Sequence, residues 1–99
     1  EYVVAIPCGF ALEQNVPNPF NGETAIRFAL QMREEIELAV FNLVGQKVAT
    51  LVEGMREAGE YTVRWDGLDG DGKELATGLF LYQLRVGERM ERRKLILLR

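Results

Sequence analysis

The chain contains no histidine. That excludes Ser-His-Asp and Cys-His nucleophilic sites, histidine-ligated zinc, and the commonest general base near neutral pH. It has one cysteine, Cys8, so no internal disulfide can form. Pro7 stands directly before Cys8, where a lipid-attachment motif wants a small residue, so Cys8 reads as a buried or free thiol. No run approaches the roughly 20 apolar residues of a membrane helix, so no transmembrane segment is expected. No basic-then-apolar leader is present, and the chain is expected to be a mature or excised piece. A phosphate-binding glycine loop, a CxxC pair and a segment of sustained helical period are also missing. These absences leave little chemistry for an enzyme, and none is expected.

The 99 residues with a net charge of −3 suit one domain. The charge is uneven. Residues 88–99 carry Arg89, Arg92, Arg93, Lys94 and Arg99 against Glu88 and Glu91, so this end is locally basic. Nucleic-acid binding normally shows a basic balance over the whole domain, and this end reads as a strand with one charged solvent face.

The chain is built of short alternating segments. Period-two alternation marks a strand with one face on a core, because successive side chains leave a strand on opposite sides. Strands are expected over residues 10–15, 24–30, 36–42, 47–52, 60–66, 79–86 and 89–98, with a further short one over 74–76. Pro17 and Pro19 make residues 17–22 a rigid turn, and Phe20 within it is expected to plug one end of the core. Residues 43–46 bend at Gly45 into a hairpin. Residues 53–59 read as a polar connection too short for a helix. Glu34, Glu35 and Glu37 read as charged residues at a turn rather than as a paired-carboxylate site. Short antiparallel strands at regular spacing indicate an all-β sandwich.

Residues 60–86 pose the sharpest chemical question. Tyr61, Val63 and Trp65 alternate before a run dense in Asp and Gly, and Phe80, Tyr82, Leu84 and Val86 alternate after it. An aromatic platform of Trp65, Tyr61, Tyr82 and Phe80 for glycans is one reading; core packing is the other, since these residues share the inward phase of Val63, Leu84 and Val86. Asp66, Asp69 and Asp71 are either turn residues or ligands of a loop calcium site. A helix-loop-helix calcium loop fits badly: with Gly72 at its sixth position, the first and twelfth fall on Gly67 and Gly78, which carry no ligand. Turn residues accepting backbone N–H groups are the simpler reading, and no cofactor is expected.

Residues 1–6 are apolar and β-branched, and Pro7 and Gly9 separate them from the strand expected at residue 10. They are expected to form an N-terminal extension over residues 1–9: a linker, or a strand exchangeable with another chain. Tyr2, Val3, Val4 and Ile6 would then be contact residues.

Taken in order, the motifs resemble a family. They are Leu12-Glu13-Gln14-Asn15-x-Pro17-Asn18-Pro19-Phe20-Asn21, Thr24-x-Ile26-x-Phe28, Val40-Phe41-Asn42-Leu43-x-Gly45-Gln46-Lys47-Val48, Gly59-x-Tyr61-x-Val63-x-Trp65-Asp66-Gly67, and Ala76-x-Gly78-x-Phe80-x-Tyr82-x-Leu84, then a basic-apolar end. The series resembles the C-terminal sorting domain of the type IX secretion system and the immunoglobulin-like domain of flagellar hook-capping proteins. It departs from the pattern at Gly22-Glu23, where Pro or Ser is common after the Asn-Pro-Phe-Asn turn.

The resemblance implies a seven-stranded immunoglobulin-like antiparallel β-sandwich over residues 10–99. It would be carried on a bacterial protein that is secreted to the extracellular or outer-membrane surface, and would be read by the outer-membrane export machinery. The residues expected to be presented are Arg92, Arg93, Lys94, Leu95, Ile96, Leu97, Leu98 and Arg99. The alternative is a structural subunit of an extracellular filament, a homo-polymer in which identical subunits join head to tail by donating residues 1–6 to a sheet edge.

Overall fold

The computed structural model describes residues 9–99; the expectations for Tyr2, Val3, Val4, Ile6 and Cys8 lie outside the described residues. Seven strands run in order: β1 (Phe10–Leu12), β2 (Thr24–Leu30), β3 (Glu34–Phe41), β4 (Lys47–Arg56), β5 (Gly59–Trp65), β6 (Gly78–Val86) and β7 (Arg89–Leu97). They form two antiparallel sheets, a three-stranded one ordered β1-β2-β5 and a four-stranded one ordered β4-β3-β6-β7. This is an immunoglobulin-like sandwich, with neighbours in sequence exchanged between the sheets.

Alternation decides which side chains meet between the sheets. Thr24, Ile26, Phe28 and Leu30 of β2 are buried, as are Ile36, Leu38 and Val40 of β3. Phe80, Tyr82, Leu84 and Val86 of β6 face them, with Leu95 and Leu97 of β7. One end of the core is aromatic. Phe20 is 1% exposed, its ring 5.7 Å from that of Trp65, which stands edge-on to Phe80 at 6.1 Å. Trp65, Phe80 and Tyr82 are therefore core. Tyr61 is half-buried and stacks on Phe28 at 5.1 Å.

Four elements differ from the sequence expectations by more than one residue. β1 ends at Leu12 rather than at residue 15. Asn15 instead turns inward, where its amide nitrogen donates to Thr24 Oγ1 at 3.0 Å and to the Pro17 carbonyl at 3.1 Å. β4 runs on to Arg56, through the stretch expected as a connection, because Glu34 and Glu35 of β3 pair with Arg56 and Met55. β3 correspondingly starts at Glu34, two residues early. The short strand expected over residues 74–76 is reduced to a single bridge between Leu68 and Glu74.

The irregular segment after β1 does more than turn. Phe20 forms a parallel bridge with Leu97: its N–H donates to the Ile96 carbonyl at 3.0 Å, and Leu98 N–H donates to its carbonyl at 2.9 Å. Asn18 Oδ1 accepts Ile96 N–H at 2.9 Å, and Gln14 donates to the Lys94 carbonyl at 2.7 Å. The far half of the β7 edge is thereby covered.

Candidate functional site

β7 alternates between core and solvent. Leu95 and Leu97 are 0% exposed, whereas Ile96 and Leu98 are 37% and 45% exposed. The eight candidates near this end thus fall into two groups. Arg92, Lys94, Ile96 and Leu98 are presented outward. Leu95 and Leu97 are core, and the other two are tethered: Arg93 Nε donates to the Leu12 carbonyl at 2.7 Å, joining β7 to β1. Arg99 Nε donates to the Leu75 carbonyl at 2.8 Å, its Nη2 to the Gly67 carbonyl at 2.7 Å, and its N–H to Thr77 Oγ1 at 2.7 Å. A presented face and a structural one were not separable from composition alone.

The register across the sheet extends the presented face. Ile96 lies opposite Leu79, Lys94 opposite Leu81, and Arg92 opposite Gln83 on β6. Leu81 in turn lies opposite Phe41 on β3. Arg92 is oriented by its Nε, which donates to Gln83 Oε1 at 2.8 Å. The result is a half-exposed apolar strip of Ile96, Leu79, Leu81 and Phe41, flanked by the cations of Lys94 and Arg92. Further across the same face, the carboxylate of Glu37 is buried between two cations, with Lys47 at 2.6 Å and Arg85 at 3.2 Å. It is satisfied there, so the candidate carboxylates Glu34, Glu35 and Glu37 do not converge on one site; Glu34 pairs with Arg89 instead, at 3.3 Å. Sequence reasoning missed this ion cluster, since Glu37, Lys47 and Arg85 come from three strands.

The aspartate run is a turn scaffold. Asp69 Oδ1 accepts the N–H groups of Asp71 and Lys73, each at 2.9 Å. The bond from Lys73 is the largest cause that holds the Asp69 carboxyl below its ordinary range, against some desolvation. Asp66 Oδ1 accepts Leu68 N–H at 3.2 Å, and the indole of Trp65 donates to the Leu68 carbonyl at 2.9 Å. Among the described residues, no group of three His, Cys, Asp or Glu side chains is placed to hold a metal ion. Gly67 has φ +78°, and a Cβ there would stand 2.8 Å from Arg99 Nη2. Glycine is what lets the reversal close against the end of β7.

Tyr82 joins the sheets from within. Its hydroxyl donates to the Glu13 carbonyl at 2.7 Å, and burial is the main cause that raises its pKa to about 12. Among the described residues, no helix is long and apolar enough to cross a membrane.

A family model described as the FlgD Ig-like domain matches residues 14–90. No curated protein matches the sequence. Among solved structures, dimeric latent PorU from Porphyromonas gingivalis superimposes over 97% of this chain and 10% of its own, with a TM-score of 0.72 and 16% identity. PorZ of the same organism, described as an essential bacterial surface component of the type-IX secretion system, covers 92% of this chain and 12% of its own, with a TM-score of 0.58 and 17% identity. The chain therefore spans about a tenth of the length of either protein, and at such identities the likeness is one of fold. With the family model covering most of the sandwich, the chain belongs to the FlgD Ig-like domain family.

Proposed function

We propose that this domain is a non-catalytic sorting or anchoring module of a secreted bacterial surface protein, recognised by outer-membrane export machinery. The observation that carries the reading is the outward face of β7 and β6, where Ile96, Leu79 and Leu81 form an apolar strip beside Lys94 and Arg92. Exposed apolar area rimmed by like charge is what a protein-recognition surface needs: the strip supplies burial, and the cations supply orientation and discrimination. The fold likeness to PorU and PorZ supports export machinery as the class of partner. The corresponding location is the extracellular or outer-membrane surface.

The working residues in this reading are Arg92, Lys94, Ile96 and Leu98. Leu95, Leu97, Arg93 and Arg99 act by holding β7 in place. The test is to append the 99-residue chain to a periplasmic reporter in a bacterium with type IX export. Reporter at the cell surface or in the medium supports the reading; reporter held in the periplasm counts against it.

A second reading, a head-to-tail filament subunit donating residues 1–6, has one supporting observation: among the described residues, the outward backbone groups of Met90 and Arg92 on β7 have no partner. On β7 a donated strand would use that half, since Phe20 and Asn18 already occupy the far half.

A further inference from the structure

Each sheet of the sandwich ends in two edge strands: β1 and β5 in one, β4 and β7 in the other. A bare edge is a row of donors and acceptors that another strand can pair with, so edges are usually short, bulged or covered. β1 is three residues long. The β4 ladder is broken by register shifts, and Gly70 N–H covers the Val48 carbonyl near its start at 2.9 Å. Phe20 and Asn18 cover the far half of β7. β5 has none of these devices. Its 7 residues run in unbroken register with β2, from Gly59 opposite Leu30 to Trp65 opposite Thr24.

Parity fixes which backbone groups of β5 face out. On the β1 side, Ala25 exchanges both hydrogen bonds with Val16 at 2.9 Å, and the Arg27 carbonyl accepts Glu13 N–H at 2.9 Å. The odd residues of β2 therefore bond toward β1 and the even ones toward β5. Ile26 and Phe28 lie opposite Val63 and Tyr61, so Val63 and Tyr61 bond to β2. Glu60, Thr62 and Arg64 turn their N–H and C=O groups to the outer edge, where they have no partner among the described residues. Their side chains are exposed, whereas Tyr61 and Val63 on the other face are half-buried against the core. The charges on this edge are opposite and symmetric about Thr62, with Glu60 before it and Arg64 after it. Among the described residues Glu60 forms no ion pair, and Arg64 reaches Glu23 at 3.6 Å with both side chains more than half exposed.

We propose that two copies of this chain pair through β5, antiparallel about a two-fold axis at Thr62. Thr62 lies opposite Thr62 of the second copy, and Glu60 lies opposite Arg64 in both directions. Each of these pairs exchanges two backbone hydrogen bonds, and the three-stranded sheets of the two copies join into one. On the solvent face, each Glu60 meets a cation directly across the new ladder. On the other face, Tyr61 lies opposite Val63 of the second copy, in non-hydrogen-bonded pairs whose side chains approach closely. The charges select this register. A slip that brings Glu60 or Arg64 opposite Thr62 loses both charge pairs, and a further slip sets Glu60 against Glu60 or Arg64 against Arg64. Such a contact is isologous and closes at two copies, unlike the head-to-tail filament. It leaves the outward face of β6 and β7 untouched, so it is independent of the sorting reading.

The test is the mass of the full chain, by sedimentation or light scattering over a range of concentrations, with amide exchange at Thr62. The expected result is a monomer–dimer equilibrium in which the Thr62 amide gains protection only as the dimer forms. Glu60→Arg and Arg64→Glu each put like charges across the ladder and are expected to weaken dimerisation about tenfold or more. Both residues are exposed, so each variant keeps the cooperative unfolding of the parent. Mixing the two variants restores opposite charges at every pair, and the mixture is expected to form a heterodimer about as tightly as the parent pairs with itself. A monomer at every concentration, a growing polymer in place of a dimer, or a dimer indifferent to Glu60→Arg would each overturn the proposal. So would two variants that fail to pair when mixed.

Discussion

Phe20 and Leu97 form a parallel bridge that closes the far half of the β7 edge, and both side chains are buried in the core they seal. A single residue from an irregular turn thus does two jobs. It fills the aromatic end of the sandwich beside Trp65, and it gives Ile96 and Leu98 their backbone partners. Phe20→Ala is expected to cost about 3–5 kcal/mol, from lost burial and the cavity left behind. Denaturant unfolding measures the loss. Hydrogen exchange should show it concentrated at Ile96 and Leu98 rather than at β2.

Tyr82 sets an alkaline limit. Its pKa is raised to about 12, mainly by burial, from an ordinary value of 10.0. A group raised in the folded state contributes stability that is fully present below the unfolded value and lost as pH rises toward the folded one. Unfolding free energy is therefore expected to hold up to about pH 10 and fall between about 10 and 12. Tyr82→Phe should remove that slope, at a cost of about 1–3 kcal/mol at neutral pH for leaving the Glu13 carbonyl without its donor.

Asp69 sets an acid limit of the opposite kind. Its carboxyl is held low, chiefly by the N–H of Lys73, so its contribution is present above the unfolded value and is lost as pH falls through the lower folded one. Asp69→Ala is expected to lower the melting temperature and to flatten the acid side of the stability curve. Millimolar calcium should leave the melting temperature of the parent chain unchanged, because among the described residues no three carboxylates are placed to hold the ion. A rise in melting temperature with calcium would contradict the turn-scaffold account.

Glu37 links three strands through Lys47 and Arg85. Removing either cation leaves the other on the carboxylate. Removing both leaves a buried charge unpaired. The double variant Lys47→Met/Arg85→Met is expected to lose about 0.5–3 kcal/mol more than the sum of the single losses, read from a double-mutant cycle.

Much of the fold was legible because β2, β5 and β6 carry uninterrupted alternation, and each has one face on the core. What was illegible depends on partners distant in sequence. β4 continues through Glu53, Gly54 and Met55 only because β3 offers it a register there; its own residues look like a loop. Beyond β1 the pairing with β2 is interrupted at Asn15, whose side chain turns inward to Thr24 and Pro17, and resumes only as the Val16–Ala25 bridge. At the candidate site, alternation could mark Leu95 and Leu97 as one face and Ile96 and Leu98 as the other, but not which faces the core. That is fixed by the pairing of β7 with β6 and by Phe20. The tethers from Arg93 to Leu12 and from Arg99 to Gly67 join residues 81 and 32 positions apart, and composition carries no trace of them.

The central claim is that the outward face of β7 is what the export machinery reads. Removing residues 94–99 would not test it, since Leu95 and Leu97 are core and their loss would unfold the sandwich. The direct measurement uses Arg92→Glu/Lys94→Glu/Ile96→Glu in the full chain, appended to a reporter in a bacterium with type IX export, with the purified variant checked for cooperative unfolding. The account predicts a folded domain and a reporter retained in the periplasm. A folded variant secreted as well as the parent would contradict it.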